Sequence, residues 1–87
     1  MDRYRKEVIA EIAEPLIDLA ETIAALESRV ADARDKYEYR RHDILRGRLL
    51  DTYSLWHDAV ARIRDREGTQ VASEVVDYVQ SHEPFTM

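Results

Sequence analysis

The sequence predicts an all-α fold: an antiparallel helical hairpin with a long, kinked first helix, a short C-terminal helix and coiled-coil-like packing. Two observations predict it. Apolar residues recur at helical spacing in three successive segments, and no segment shows the two-residue alternation of a strand. At 87 residues there is room for one domain. We place it at residues 1–83, with helices at about 3–36, 43–67 and 70–81 and a tail at 84–87.

The first predicted helix carries a heptad pattern from residue 9 to residue 35. Its a and d positions form one apolar seam: Ile9, Ile12, Leu16, Leu19, Ile23, Leu26, Val30 and Ala33. Alanines lie on both sides of this seam, so we expect the helix to approach two neighbours closely. Pro15 interrupts the helix but leaves the heptad phase unchanged, which predicts a kink at Pro15 rather than a loop.

The seam also predicts self-association. Three helices of this size cannot easily cover both the seam and the alanine surface beside it, and an exposed apolar stripe favours association. We therefore expect a homodimer formed through the first helix. The predicted self-association residues are Ile9, Ile12, Leu16, Leu19, Ile23, Leu26 and Val30.

A chain reversal is predicted near residues 36–43, where the heptad pattern fails. A second apolar stripe follows, and it is rotated by roughly 140° from the first on a continuous helix. Its members are Leu45, Leu49, Tyr53, Trp56, Val60 and Ile63. A turn with Asp43 as the N-cap of the second helix explains the rotation. Neither proline nor glycine marks the turn, so one bent helix over about residues 16–66 is the alternative.

The end of the second helix and the start of a third are marked by local signals. Gly68 suits a left-handed C-cap, and Thr69 is the candidate N-cap of the third helix. The third helix has one apolar face, formed by Val71, Ala72, Val75, Val76 and Val79. Pro84 is expected to prevent it from continuing.

Composition excludes several classes of function. The chain has no cysteine, which removes disulfides, thiolate nucleophiles and cysteine-bound zinc. No apolar run reaches the roughly 18 residues that a transmembrane helix needs. The N-terminus also lacks the unbroken apolar stretch of a signal peptide. We expect a soluble, cytoplasmic protein that contacts no membrane and needs no cofactor or metal.

Charge is distributed unevenly along this acidic chain, whose formal net charge is −5. From Glu7 to Ser28 there are six acids and no base, whereas residues 29–48 contain seven bases and four acids. The candidate contacts to an anion or a partner are Arg34, Lys36, Arg40, Arg41, Arg46 and Arg48. Tyr37 and Tyr39 lie between them and offer surfaces on which bases can stack. The acids in this tract favour a solvated helix surface instead.

These features favour binding over catalysis. We expect a small acidic helical protein–protein interaction module, an adaptor, inhibitor or assembly factor, whose partner is another protein. An acidic inhibitor that mimics nucleic acid, such as phages encode, is a variant of this class. The first alternative is a nucleic-acid-binding protein that uses the basic tract 34–48. The second alternative is a small helical enzyme or phosphotransfer domain.

The second alternative rests on two loose sequence patterns. His42 is followed by Asp-Ile-Leu-Arg-Gly, which resembles the phosphoacceptor motif of histidine phosphotransfer domains, but Gly47 lies five residues after His42 instead of four. Chorismate mutases have a charged site that Arg29, Lys36, Asp43, Arg46 and Gln80 match only in part. Glu38 and His42 are spaced to share a helix face, but two ligands without further acids do not form a metal site.

Overall fold

The computed structural model describes residues 2–81, and within that range the chain forms three α-helices and no strand. They are α1 (Asp2–Asp35), α2 (Tyr39–Glu67) and α3 (Thr69–Gln80). The all-α prediction is confirmed. The predicted tail at 84–87 and the helix stop at Pro84 lie outside the described residues.

The helix α1 buries the face that the heptad pattern indicates. Its buried positions are Ile9, Ala13, Leu16, Ala20, Ile23, Leu26 and Ala33. Ala13 and Ala20 lie beside the predicted seam and are almost completely buried, as expected for a helix that approaches two neighbours. The buried arc of α1 is therefore wider than a two-stranded contact requires.

Pro15 lies inside α1, and the helix continues through it. A proline cannot donate the backbone hydrogen bond that the carbonyl of Glu11 would otherwise accept. Pro15 and Glu11 are both exposed, so water has access to the carbonyl that the proline leaves unpaired. The structure thus contains no loop at this position, and the kink at Pro15 stays a prediction.

The helices α1 and α2 lie antiparallel, as two separate core clusters show. In the first cluster, Ile9 near the start of α1 packs with Ile63 near the end of α2. In the second, Leu26 and Ala33 from the later part of α1 pack with Leu45 near the start of α2. Opposite ends of the two helices are therefore in contact.

The helix α3 completes the first cluster and does not reach the second. Ala72, Val75 and Val79 are buried in the first cluster, whereas the described residues of the second cluster all come from α1 and α2. The 12 residues of α3 span about 18 Å, and the molecule is 53 Å long. We call the three-helix part the base, and residues 24–52, where α1 and α2 form a two-helix layer, the distal half.

The turn between α1 and α2 is a Schellman motif with a tyrosine at the position that glycine usually occupies. The amide of Glu38 donates to the carbonyl of Ala33 at 2.9 Å, and the amide of Tyr37 donates to the carbonyl of Arg34 at 3.1 Å. These two bonds define the motif, whose C′ residue has a left-handed backbone. Tyr37 occupies this position with φ of 58°. A residue with a Cβ pays roughly 1–2 kcal/mol for this conformation.

This compact turn explains why α2 begins at Tyr39 rather than at the predicted residue 43. The Schellman motif leaves residues 36–38 outside both helices, so α2 starts at once, with Glu38 as its N-cap. Asp43 lies inside α2 and caps no helix. The turn also excludes the alternative of one bent helix over residues 16–66.

Gly68 alone separates α2 from α3. It has φ of 95°, its amide donates to the carbonyl of Arg64, and its carbonyl accepts from the amide of Ala72. Gly68 is therefore both the C-cap of α2 and the N-cap of α3, and Thr69 is the first residue of α3 rather than its cap. A one-residue connection holds the two helices close together at the base.

An ion pair joins the start of α1 to α3. The guanidinium of Arg5 donates from Nη2 to both carboxylate oxygens of Glu74, at 2.7 and 2.8 Å, and from Nε at 3.0 Å. Gln70 adds a longer hydrogen bond to Glu74 at 3.4 Å. The hydrogen bonds from Arg5 hold the pKa of Glu74 below its usual value. The pair thus favours ionised Glu74 in the folded chain.

We expect Tyr37→Gly to stabilise the fold by about 1 kcal/mol, because glycine adopts the left-handed conformation without a Cβ penalty. Chemical denaturation monitored by circular dichroism measures the change in free energy of unfolding. Tyr39→Gly is the matched control, since Tyr39 lies in the first turn of α2 and should not become more stable as glycine. Destabilisation by Tyr37→Gly would contradict the assignment of strain to this residue.

The stability contributed by the Arg5–Glu74 pair should depend on pH. Because the pKa of Glu74 is lowered in the folded state, the contribution is complete above the usual glutamate pKa and is lost as pH falls through the lowered value. Thermal melts of the wild type and Arg5→Ala should therefore differ at neutral pH and converge in strong acid. A difference in Tm that is the same at both pH values would argue against this contact.

Candidate functional site

The surface around the α1–α2 turn, residues 34–48, is the candidate site, and we call it the tip. All six predicted anion or partner contacts are exposed there: Arg34, Lys36, Arg40, Arg41, Arg46 and Arg48. The turn brings the end of α1 and the start of α2 together, so residues from both helices contribute to one surface.

Acidic neighbours engage part of this basic set. Arg41 Nη1 donates to Glu38 at 2.9 Å and lies 3.7 Å from a carboxylate oxygen of Asp32. Lys36 Nζ is 3.3 Å from the same carboxylate of Asp32. The hydrogen bond and the charge of Glu38 raise the pKa of Arg41. Since each of these side chains is between 41% and 60% exposed to solvent, each pair contributes under about 1 kcal/mol to stability.

The remaining four arginines of the tip differ in whether they lie near a carboxylate. Arg34 lies 3.7 Å from the carboxylate of its neighbour Asp35. Arg40, Arg46 and Arg48 form no ion pair or side-chain hydrogen bond within residues 5–81. Their guanidinium groups are thus available to an external carboxylate or phosphate.

Two tyrosines project from the tip. Tyr37 is 75% exposed and Tyr39 is 73% exposed. Their ring centroids are 6.4 Å apart with an interplanar angle of 61°, an edge-to-face pair. Ile44, which is 53% exposed, lies in a shallow depression beside them. This depression is lined by Glu38, Tyr39, Arg40, Arg41, Ile44, Leu45 and Arg48.

The structure places most of the predicted self-association residues inside the chain's own core. Ile9, Leu16, Ile23 and Leu26 are buried between the helices. Ile12, Leu19 and Val30 are partly buried and pack at the edges of the two clusters. Self-association through α1 stays a prediction, and these three partly buried residues provide the accessible part of the seam.

Sequence reasoning missed two exposed leucines of α2. Leu50 is 55% exposed and Leu55 is 57% exposed. Both fall outside the apolar stripe of the second helix. A leucine outside the stripe was the signal in the sequence that could have identified them as exposed. An apolar residue off the stripe is also common on ordinary protein surfaces, so the pattern alone does not single them out.

The phosphotransfer pattern around His42 has no matching geometry. His42 Nδ1 lies 3.6 Å from the carboxylate of the adjacent Asp43. A Cβ built on Gly47 would meet no heavy atom within 4 Å. Gly47 is therefore not a position where a side chain would crowd the imidazole.

The residues that partly match the chorismate mutase site do not share one depression. Gln80 lines a depression at the end of α3 with Ile23, Glu27, Tyr53, Trp56 and His57. None of Arg29, Lys36, Asp43 and Arg46 lines that depression.

Partial burial, together with the Glu27 carboxylate, raises the pKa of Tyr53. Among the described residues, no group of three or more His, Asp or Glu side chains is placed to hold a metal ion.

Comparison with known proteins gives no relative. No protein-family model, curated protein or solved structure matches the chain. Within residues 2–81, no helix combines the length and the apolar content needed to cross a membrane. Function must therefore be inferred from the surfaces of the molecule itself.

Proposed function

We propose that the chain is a small acidic helical protein–protein interaction module that acts by binding, as a homodimer with coiled-coil-like helix packing. Adaptors, inhibitors and assembly factors are the roles that fit this class. The observation that carries the proposal is an exposed apolar residue, Leu55, on the side of the α1–α2 layer that α3 leaves uncovered.

The position of α3 defines the uncovered side of α2. Val60 lines a depression together with Ala72 of α3, and Tyr53 lines another together with Gln80. At 100° per residue, Leu55 lies about 140° around α2 from Val60 and about 160° from Tyr53. Leu55 therefore points away from α3.

The helix α1 adds a partly accessible apolar residue, Leu19. The antiparallel pairing of α1 with α2 places Leu19 at about the level of Leu55 along the layer. Leu19 is also one of the predicted self-association residues. Leu19 and Leu55 together are apolar surface that a second copy would remove from water.

Charge complementarity supports a second copy of the chain as the occupant. The helix α1 carries six acids and no base from Glu7 to Ser28. On α2, Arg62 lies about 20° around the helix from Leu55 and forms no ion pair within the described residues. In a two-fold dimer, α1 of one copy can lie against α2 of the other, which brings unlike charges together on both halves of the interface.

We expect light scattering at micromolar concentration to give twice the chain mass of 10.2 kDa. Leu55→Glu should produce a folded monomer, because it places a charge in the interface while leaving the core untouched. Leu50→Glu is the matched control, since Leu50 is similarly exposed but lies about 140° around α2 from Leu55. It should remain a dimer.

Two outcomes would contradict this proposal separately. A wild-type chain that stays monomeric over a wide concentration range would exclude the homodimer. A dimer that survives Leu55→Glu would place the interface elsewhere. Circular dichroism of each variant shows whether loss of the dimer reflects loss of the interface or loss of the fold.

The second candidate function is nucleic-acid binding through residues 34–48. Arg40, Arg46 and Arg48, which form no ion pair within residues 5–81, lie beside two exposed tyrosines and favour it, since such surfaces neutralise phosphates and stack on bases. The acids that engage Lys36 and Arg41 oppose it. Their negative charges raise the cost of bringing a polyanion to the tip.

We therefore expect no binding to a mixed pool of DNA and RNA at about 150 mM salt, measured by fluorescence anisotropy. Titrations at lower salt and with the Arg40→Ala, Arg41→Ala double variant complete the experiment. Submicromolar binding that weakens steeply with salt, and that the double variant abolishes, would reverse the order of the two candidates.

A further inference from the structure

We propose that the tip docks an acidic, partly apolar segment of a partner protein and that Tyr37 anchors the contact. This inference rests on the proposed function as an interaction module. Leu55 lies about 24 Å along α2 from Tyr39, so the proposed dimer contact is centred away from the tip. The tip is thus the surface for a different protein, and its own residues define the chemistry of that protein.

The backbone of Tyr37 has a conformation that is uncommon for a residue with a Cβ. Tyr37 holds a left-handed conformation that glycine adopts freely, and yet it carries a large side chain. That side chain is 75% exposed, and its aromatic contact is with another exposed ring, Tyr39. Strain at a position that contributes little to the core indicates a role outside folding.

The tyrosine pair has the properties of a binding anchor. Tyrosine and arginine are enriched among the residues that dominate binding energy at protein interfaces. Tyrosine presents a large contact area and loses little conformational freedom when it binds. The edge-to-face packing of Tyr37 against Tyr39 and the fixed turn restrain both rings before a partner arrives. Ile44 extends this surface with an exposed aliphatic side chain.

The depression next to the tyrosines specifies an acidic partner. Arg40 and Arg48 line it and form no ion pair within the described part of the chain, so carboxylates are the complementary groups. Ile44 and Leu45 line the same depression and match an apolar side chain. An acidic segment with one or two apolar residues satisfies both requirements.

The same depression distinguishes a protein from a nucleic acid. Glu38 lines it, and the nearby Asp32 and Asp43 add further negative charge to the tip. A polyanion places phosphates at regular intervals and meets these acids. A peptide can place a few carboxylates against Arg40 and Arg48 and leave Glu38 facing water or a backbone amide. The tip therefore favours an acidic peptide.

Selection from a displayed library of random linear peptides on the immobilised full chain tests this proposal. We expect the selected peptides to be enriched in Asp and Glu and to contain an aromatic or aliphatic residue. One selected peptide, synthesised with a fluorophore, is then titrated with each variant by fluorescence polarisation. Its Kd should rise at least about tenfold for Tyr37→Gly and for the Arg40→Ala, Arg48→Ala double variant.

Matched controls separate the tip from general effects of charge and folding. The Arg64→Ala, Arg66→Ala double variant removes the same charge at the far end of α2 and should bind the peptide like the wild type. Tyr37→Gly relieves backbone strain, so its melting temperature should not fall, and lost binding cannot then be attributed to unfolding. A single-stranded DNA of mixed sequence serves as competitor.

The docking proposal would be overturned if the selection yields no binding peptide, if the selected peptides show no acidic enrichment, or if the tip variants leave binding unchanged. None of these results bears on the homodimer, which light scattering tests separately. DNA that displaces the peptide and binds more tightly would assign the tip to nucleic acid. Acid-enriched peptides that need Tyr37 and the two arginines would support the tip as the docking surface.

Discussion

The structure depends on the close approach of three helices around small side chains. Ala13 and Ala20 of α1 are buried in one cluster with Ala72, Val75 and Val79 of α3. Small residues let helix backbones approach closely and give each side chain many contacts at short range. Since α3 is short, this packing exists only at the base. The two-helix distal half, the exposed tip and the uncovered side of the layer all follow from that limit.

Much of the fold could be predicted from the spacing of apolar residues. The heptad positions of α1 include Leu16 and Ile23, which are buried, and the unbroken phase across Pro15 corresponds to a continuous helix. The turn was harder to place because a Schellman motif is recognised in a sequence by its glycine. Here the left-handed residue is Tyr37, so nothing in the sequence marked the true start of α2.

The location of the candidate site could be predicted from the sequence, but the ion pairs within it could not. The basic residues do share one surface, since they are close in sequence and the turn folds back on itself. Which of them are paired depends on the turn: Asp32 of α1 lies near both Lys36 and Arg41, whereas Arg40 forms no ion pair within the described residues. A heptad pattern likewise cannot say whether a seam faces its own chain or a second copy. In this chain much of the seam is covered by α2 and α3.

The thin core of the distal half also makes the molecule uneven in local stability. Within residues 5–81, the second cluster contains three buried residues, Leu26, Ala33 and Leu45, with Val30 and Leu49 packed beside them. Segments with few buried contacts open at lower free energy than the rest of a protein, and their amide hydrogens exchange faster. The tip therefore combines a turn held by two backbone hydrogen bonds with a helical layer that has a thin core. A partner bound at the tip would raise the local stability of this layer and slow its amide exchange.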